Sequence, residues 1–406
     1  MSATQKLKDL ACSVIDSQAP QLKDLSKDIW EHPELYYNEH YAHKTLTNFL
    51  RERGFAVECS YKLETAFRAE QRSSGDEQRS PNVAVLCEYD ALPQIGHACG
   101  HNLIATVGVG ASLGIQAALL SSEYTGTGML TVLGTPAEEG GGGKIDLIQA
   151  GAFQDVDLAM MVHPSQLNLS SPLYLAANEV EIEYRGKAAH ASSYPWNGVN
   201  ALDAAVMCYT NISHLRQQMK PTWRALGIIT NGGAKPNIIP DTSGLLYSVR
   251  ATTDSELAIV NKKVAGCIEG AALATGCSVE YQFSKKPYSS LLSNPTMASL
   301  YTANAEKLGI AMETDPEKLQ KLRGSTDMGN VSHVVPSIHP NYNIGTTASA
   351  HTPEFAAQAK TSEAEDSSLT VAKALAMTAI DFLTTPELVQ QARMEFEKAV
   401  MSESLN

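Results

Sequence analysis

The chain has 406 residues, and its 31 Lys and Arg residues against 44 Asp and Glu residues give a formal net charge of −13. This acidic balance argues against binding to nucleic acid or to an anionic membrane surface, since both need a basic protein face. A hydrophobic content of 43% argues against disorder, and the length predicts two domains because single cores stop growing at roughly 250–300 residues.

The first part of the chain alternates helical and strand patterns. Helical periodicity over residues 20–52 precedes a polar stretch at residues 68–81, which we expect to be an exposed loop. Short apolar runs then predict strands buried on both faces at residues 82–87, 129–133 and 157–162. Helices are predicted between them at residues 102–121 and 144–150. This alternation predicts a parallel sheet with right-handed crossovers, and therefore an α/β fold.

One segment has the composition of a membrane span. Residues 91–122 contain no Asp, Glu, Lys or Arg, and residues 103–120 are long enough to cross a bilayer. The same segment contains Gly108, Gly110 and Gly114 and has no flanking basic cluster. We therefore interpret it as a helix buried against the sheet, with its small residues allowing close approach, rather than as a membrane span.

Residues 179–293 show a different pattern, in which strands alternate with period two and are half exposed. The predicted order is βαββαβ, with strands at 179–184, 224–230, 244–251 and 277–283 and helices at 200–218 and 254–275. This is the order of the ferredoxin-like split-βαβ unit. We expect residues 179–294 to be a domain inserted into a larger one formed by residues 1–178 and 295–406. Further helices are predicted at residues 295–308, 361–382 and 386–401.

The seven cysteines are spread thinly along the chain, and an odd count of this kind does not predict a disulfide framework. The first residues lack the apolar core of a signal peptide. A reducing compartment is the simpler interpretation, so we expect the protein in the cytoplasm, with access to the nucleus left open.

Potential metal ligands follow each apolar strand of the larger domain. Glu88, Asp90 and residues 97–101 follow the first strand, residues 135–139 follow the second, and His163 follows the third. Sites in open α/β sheets form beyond the carboxyl ends of the strands, so we expect these side chains to converge. The convergence predicts a metal site, because all of these residue types bind metals.

The spacing of Cys99 and His101 supports this prediction. In an extended loop, residues separated by one position point the same way, so both side chains can reach one metal. Thiolate and imidazole suit Zn²⁺, whereas carboxylate and imidazole also suit Mn²⁺. The alternative is a core cysteine beside a surface histidine, and the nearby Glu138, Glu139 and His163 make it less favoured.

Glu138 and Glu139 are adjacent carboxylates, which point in different directions in a loop. One can bind a metal while the other takes a proton from an attacking water, as metal-assisted hydrolysis requires. The alternative is a solvated acidic pair, which the apolar strand before it and the run Gly140–Gly143 after it disfavour. Other histidines are candidate ligands on composition alone: His32, His333, His339 and His351.

Six motifs in order resemble those of the aminoacylase/carboxypeptidase metallopeptidase family, in its amidohydrolase branch. They are Glu88-Tyr-Asp-Ala-Leu-Pro93, His97-Ala-Cys-Gly-His101, Pro136-Ala-Glu-Glu139, Gly186-Lys-Ala-Ala-His190, Asn237-Ile-Ile-Pro240 and His351-Thr-Pro353. The resemblance covers nearly the whole chain. It implies a zinc-exopeptidase-like catalytic domain, with a mixed, mostly parallel sheet flanked by helices, and an inserted lid or dimerisation domain.

The resemblance also implies a site with two divalent metal ions, Zn or Mn. The positions that match the family's ligands are Cys99, His101, Glu139, His163 and His351, with Cys99 in the bridging place. Glu138 matches the catalytic base, and Asp90 matches a carboxylate that orients a ligand histidine. Many members of the branch carry Asp after the second ligand histidine, where this chain has Asn102.

Three positions of the inserted domain match residues that contact the substrate in the family. His190 matches a histidine that steadies the oxyanion and that the partner subunit can supply, so a homodimer is implied. Asn237 and Arg250 match positions that hold the backbone and the carboxylate of a small substrate. The alternative for Arg250 is an ordinary structural salt bridge.

The implied reaction is metal-assisted hydrolysis of an amide bond. Four segments resemble one subgroup of this branch in particular: residues 86–93, 134–139, 219–223 and 324–327. This closer resemblance implies that the substrates are dipeptides with a basic C-terminal residue (Lys, Arg or ornithine), including β-alanyl-lysine. Asp327 is a candidate for reading the substrate's basic group. Two alternatives stay open: an aminoacylase-like hydrolase of N-acyl neutral amino acids, and a non-catalytic metal-binding regulator, which the presence of Glu138 disfavours.

Overall fold

The computed structural model describes residues 2–73, 80–321 and 324–405, and the chain folds as two compact units. The first unit runs up to Leu173 and resumes over Leu291–Lys321 and Thr326–Met401, while the second is built on Tyr174–Ser290. The inserted domain expected at residues 179–294 spans nearly the same part of the chain as this second unit.

The helices and strands alternate along the chain in three groups. The leading group contains α1 (Ala3–Ser17), α2 (Ala19–Glu31), α3 (His40–Glu52), β1 (Ala56–Cys59), β2 (Phe67–Arg72), β3 (Asn82–Cys87), α4 (His101–Leu120), β4 (Met129–Gly134), α5 (Gly143–Gln149), β5 (Leu158–Met160) and β6 (His163–Ser165). The middle group contains β7 (Ala176–Arg185), α6 (Ala201–His214), β8 (Arg224–Asn231), β9 (Thr242–Ala251), α7 (Asp254–Thr275) and β10 (Ser278–Phe283). The last group contains α8 (Pro295–Lys307), α9 (Pro316–Leu319), α10 (Met328–Ser332), β11 (Ser337–Ile338), β12 (Asn341–Asn343), α11 (Pro353–Gln358), α12 (Ser362–Thr384) and α13 (Pro386–Leu405).

A mixed sheet forms the centre of the first unit, with the strand order β1-β2-β4-β3-β5-β11 within the described residues. The pairs β3–β4, β3–β5 and β5–β11 are parallel, whereas β1–β2 and β2–β4 are antiparallel. Strands β3 and β4 are buried along their whole length, as their continuous apolar runs predict. The expected α/β fold with a mixed, mostly parallel sheet flanked by helices is confirmed.

Helix α4 lies against this sheet and is covered by other helices. Nearly all of its residues are buried, and it contacts α1, α2 and α12 as well as β3. A Cβ atom on Gly108 would lie 2.5 Å from Sγ of Cys87 and 3.0 Å from the carbonyl oxygen of Leu86, so this glycine permits the close approach of α4 to β3. Length and composition alone would allow α4 to cross a membrane, but in this structure it is a core helix.

The prediction of an exposed loop at residues 68–81 is wrong for its first part, because β2 covers Phe67–Arg72 and pairs with β1 and β4. Arg68 of this strand is neutralised by Glu70 of the same strand and by Asp155, which lies far along the chain. Nε of Arg68 lies 2.6 Å from Oε1 of Glu70, and its Nη2 lies 2.5 Å from Oδ2 of Asp155. Residues 74–79 lie outside the described residues. Helix α1 and strand β1 are further elements that the sequence patterns above do not predict.

The second unit is an antiparallel sheet in the order β10-β7-β9-β8, with α6 and α7 packed on one face. Buried and accessible residues alternate along β7 and β9, which leaves the other face accessible. Helix α7 begins where Oγ1 of Thr253 accepts the N–H of Glu256, and it ends at Gly276, whose φ is +76°. The expected βαββαβ order is confirmed, and it places β8 at an edge of the sheet.

Candidate metal centre

Five potential metal ligands meet at the carboxyl edge of the central sheet, and they lie in loops or at the first residue of a helix or strand. Sγ of Cys99 lies 3.4 Å from Nε2 of His163. Oε1 of Glu139 lies 3.8 Å from Nε2 of His101 and 3.3 Å from Nε2 of His351. The structure therefore brings together all five residues that match the ligand positions of the family.

These residues form two overlapping groups. Cys99 lies with His101 and His163 in one group and with Glu139 and His351 in the other, and the ligand atoms within each group are within 4.8 Å of one another. Cys99 belongs to both groups, so its thiolate could contribute to holding a cation in either of them.

A glycine between two of the ligands makes this arrangement possible. Gly100 has a φ of +76° and directly precedes α4, so it turns the chain between Cys99 and His101. A Cβ atom at this position would lie 2.6 Å from Cγ of Pro164, which follows the ligand His163. A larger residue would push these two segments apart, so the space and the backbone angle both require glycine.

Hydrogen bonds orient two ligand histidines toward the centre of the cluster. Nδ1 of His101 lies 2.9 Å from Oδ1 of Asp90, and Nδ1 of His163 lies 2.7 Å from the carbonyl oxygen of Pro164. A neutral imidazole that donates from Nδ1 keeps a lone pair on Nε2. Among the residues that the structure describes, Nε2 of His101 and Oε2 of Glu88 are buried without a hydrogen-bond partner. Such atoms fit divalent cations held by this donor set.

The pKa values of the ligands are shifted because several acidic groups lie close together and are buried. Burial raises the pKa of the Cys99 thiol well above its usual value, and the charge of Glu139 adds to this. Burial alone would lower the pKa of His101, but the Asp90 carboxylate holds it well above the ordinary value. A bound cation favours the thiolate and the neutral imidazole, which are the forms that bind metals.

Glu138 lies between the ligand cluster and a second group of buried carboxylates. Its carboxylate comes within 4.8 Å of ligand atoms of His101 and Glu139 on one side, and of Glu88 and Asp327 on the other. Burial, together with the charge of Glu88, raises the pKa of Glu138 well above its usual value. A carboxyl group of raised pKa can accept a proton and later return it, which is the behaviour of a general base and acid.

A buried lysine behind Glu138 is a feature that the sequence motifs do not predict. Nζ of Lys144 lies 2.5 Å from Oε1 of Glu88 and 2.6 Å from Oδ1 of Asp327, and all three side chains are fully buried. Asp327 also accepts the backbone N–H of Lys144. The hypothesis that Asp327 reads a basic group of the substrate is therefore wrong, because this carboxylate is buried and bound to Lys144. The one sequence feature that could have indicated this group is Lys144 itself, which directly follows the run Gly140–Gly143 and precedes mainly apolar residues.

The remaining candidates on composition alone lie in different surroundings. His339 is fully buried and its ring centroid lies 5.6 Å from that of His163, so it packs behind a ligand. His32 is exposed and stacks on Tyr41, and His333 directly follows α10. Asn102 is buried and its Nδ2 donates to Oγ of Ser26 and to the carbonyl oxygen of Ala359, which makes it a packing residue here.

His190, Asn237 and Arg250 lie in the second unit. The N–H groups of Ser192 and Ser193 lie 3.3 and 3.2 Å from Nδ1 of His190, which acts as an acceptor, so the ring proton resides on Nε2. The segment of Asn237 pairs with that of His190, since the carbonyl oxygen of Asn237 accepts the N–H of Ala191. These two candidates are therefore neighbours.

Within the described ranges, Arg250 does not form the salt bridge that a purely structural role would require. Among the residues that the structure describes, no carboxylate forms a salt bridge with it, and its Nε is buried without a hydrogen-bond acceptor. A guanidinium that lacks an internal partner suits a carboxylate brought by a ligand.

A protein-family model matches part of the chain, and two known proteins match nearly all of it. The model of a peptidase dimerisation domain, M20_dimer, matches residues 177–275. The chain is 50% identical to the Xaa-Arg dipeptidase of Mus musculus, over 98% of this chain and 94% of that protein. It is 48% identical to the Xaa-Arg dipeptidase of Homo sapiens, over 98% of this chain and 93% of that protein.

Comparison with solved structures supports the fold. A dinuclear metal-binding peptidase from the M20 family of Bacillus subtilis superposes with a TM-score of 0.69 at 22% identity, covering 91% of this chain and 100% of that one. At this identity the likeness concerns the architecture alone.

The buried lysine generates a stability prediction. We expect Lys144→Met to lower the free energy of unfolding by about 3–5 kcal/mol, because it leaves the carboxylates of Glu88 and Asp327 buried without their cation. Urea denaturation measures this change. The matched control is Lys6→Met, which removes a half-exposed partner of Glu123 and should cost roughly 0–1 kcal/mol. Equal effects of the two substitutions would contradict the interpretation.

Proposed function

The chain belongs to the M20 peptidase family and is a metal-dependent dipeptidase, and we propose that it hydrolyses dipeptides whose C-terminal residue is Lys, Arg or ornithine, β-alanyl-lysine among them. The observation that carries this substrate class is the 50% identity to a Xaa-Arg dipeptidase over nearly the full length of both chains. The ligand cluster around Glu138 supports amide hydrolysis, because it combines metal donors with a buried carboxyl group.

Two divalent cations, when bound, supply a water of lowered pKa and an electrophile for the scissile carbonyl group. Cys99, His101, Glu139, His163 and His351 would hold them. The thiolate and imidazole donors suit Zn²⁺, and the carboxylate and imidazole donors suit Mn²⁺, so we propose one of these two metals. Asp90 orients this set twice, since it binds Nδ1 of His101 and accepts the backbone N–H of Glu139.

Glu138 performs the proton transfers of the proposed reaction. Its carboxylate takes a proton from the attacking water and then passes that proton to the nitrogen of the leaving amine. The raised pKa of Glu138, which burial and the charge of Glu88 cause, suits a group that must hold the proton between these two steps.

The second unit would contribute groups that bind the substrate. His190 carries its ring proton on Nε2, so it can donate a hydrogen bond to the oxyanion of the tetrahedral intermediate. The guanidinium of Arg250 can bind the C-terminal carboxylate in a bidentate manner, and the side-chain amide of Asn237 can hold the substrate backbone.

The second unit also offers a surface for a homodimer. Strand β8 lies at a sheet edge and exposes Leu226, Ile228 and Ile229, and the adjacent α6 exposes further apolar side chains. An apolar edge strand pairs readily with a second copy. The match of this region to a peptidase dimerisation domain supports the same assembly.

Replacing the proposed base should separate catalysis from metal binding. For Glu138→Gln we expect kcat to fall by roughly 10²- to 10⁴-fold, because the amide cannot take the proton, while the metal content of the purified protein stays unchanged. The neighbouring Glu139→Gln is the matched control, since it should lower the metal content itself. Elemental analysis and steady-state kinetics measure the two effects, and an unchanged kcat of Glu138→Gln would refute the assigned role.

A substrate panel tests the proposed specificity. With added Zn²⁺ or Mn²⁺, we expect kcat/KM for β-alanyl-lysine and for X-Arg and X-ornithine dipeptides to exceed that for X-Leu dipeptides by at least about tenfold, a difference of roughly 1.4 kcal/mol. Liberated amino acid is the readout. Cleavage of N-acetyl-leucine and neutral dipeptides alone would favour an aminoacylase-like hydrolase, and no cleavage with any metal would favour a non-catalytic regulator.

A charge on the exposed edge strand tests the dimer. We expect Ile228→Lys to convert the protein to a monomer in sedimentation velocity, because a buried unpaired ammonium opposes association. Leu273→Lys is the matched control, because Leu273 is an apolar residue exposed on α7 rather than on the β8 edge. A dimer that survives Ile228→Lys would place the interface elsewhere.

A further inference from the structure

The residue before the proposed base has an unusual backbone conformation. Ala137 is fully buried and has a φ of +62°, in the left-handed region that non-glycine residues rarely adopt. Its carbonyl oxygen accepts the N–H groups of Gly142 and Gly143, which closes the loop after Glu138 and Glu139. The direction of the Glu138 side chain therefore depends on a conformation that the surrounding structure must maintain.

A buried carboxylate from another part of the chain holds this residue. Oε1 of Glu39 accepts the N–H of Ala137 at 2.9 Å, and Oε2 accepts the hydroxyl of Thr65 at 2.9 Å. The carbonyl oxygen of Thr65 in turn accepts the hydroxyl of the buried Tyr89. Glu39 is fully buried and forms no salt bridge with any residue that the structure describes. Burial and the nearby Asp90 raise its pKa to about 7, which shows how unfavourable this position is for a carboxylate.

Helix capping does not explain the position of Glu39. It precedes the first residue of α3, but its side chain makes no capping hydrogen bond. The first-turn N–H groups of that helix, those of Tyr41 and Ala42, bind the carboxylate of Glu34 instead. The carboxylate of Glu39 is thus directed to the loop of Glu138 and not to its own helix.

Glu39 and Asp90 bind the backbone on the two sides of Glu138. Glu39 binds the N–H of residue 137, and Asp90 binds the N–H of residue 139 at 2.8 Å. We propose that Glu39 is a positioning residue that acts through the backbone of Ala137 to aim Glu138 at the attacking water. This inference rests on the proposed function, because it concerns the same reaction, but its structural half can be tested without turnover.

Three substitutions in the metal-loaded full chain test the proposal. We expect Glu39→Ala to lower kcat by about 10- to 100-fold, since a small displacement of a reacting group has effects of this size, with KM and metal content nearly unchanged. Glu39→Gln retains an oxygen that accepts the N–H of Ala137, so its kcat should stay within about threefold of the unmodified enzyme. Glu34→Ala is the matched control, because it removes two backbone hydrogen bonds beside the same helix but none in the loop; its kcat should be unchanged.

Hydrogen exchange of the peptide that spans residues 136–143 provides the second readout. Exchange should be faster in Glu39→Ala and unchanged in Glu39→Gln and Glu34→Ala. Equal kcat values for Glu39→Ala and Glu34→Ala, or unchanged exchange in Glu39→Ala, would overturn the proposal. If the unmodified protein cleaves no substrate of the panel, the proposed function fails, whereas the exchange result still decides whether Glu39 holds this loop.

A milder variant covers the case in which Glu39→Ala does not fold. Thr65→Val removes the hydroxyl that orients Glu39 while leaving the carboxylate in place. We expect kcat to fall by about three- to tenfold at constant KM, with faster exchange over residues 136–143. A Thr65→Val enzyme with unmodified kcat and exchange would count against the inference.

Discussion

The concentration of negative charge behind one edge of the central sheet is the constraint on which the site depends. Glu88, Asp90, Glu138 and Asp327 are all buried there, beside the thiol of Cys99. Isolated carboxylates in such surroundings are strongly unfavourable, so each needs a cation or several hydrogen-bond donors. Lys144 supplies a fixed positive charge on the inner side of the group. In the described part of the chain, Nε2 of the ligand His101 has no hydrogen-bond partner, so the charges on the ligand side are left to be balanced by divalent cations.

Rare backbone conformations complement this charge arrangement. His351 has a φ of +66° and Ala137 a φ of +62°, and both belong to the segments that carry the ligands and the base. Positive φ at non-glycine residues is unfavourable and persists only where neighbouring groups hold it. The N–H of His351 donates to the carbonyl oxygen of Ala98, so one ligand segment supports another. The geometry of the centre therefore depends on backbone contacts between distant segments as much as on its side chains.

The parts that the sequence predicts well are those with a local signature. Continuous apolar runs predict β3 and β4, and the ligand residues directly after such strands predict the edge at which they meet. Contacts between distant segments have no such signature. In β2, Arg68 is neutralised partly by Asp155, far along the chain, so the charged sequence of this strand resembles that of a loop. The bonds of Lys144 to Glu88 and Asp327, and of Glu39 to Ala137, likewise become visible only in the folded structure.

The covering of α4 by α12 has a consequence for synthesis on the ribosome. The uncharged α4 is complete at Leu120, whereas α12, which packs against it, spans Ser362–Thr384. Roughly 250 residues separate the two, so at about 5–20 residues per second the face of α4 that packs on α12 stays uncovered for roughly ten seconds to a minute, although α1 and α2 precede α4 in the chain. The second unit, whose core is formed by consecutive elements, can meanwhile fold. Until α12 is synthesised, this face of α4 is exposed apolar surface of the kind that makes incomplete chains prone to aggregation.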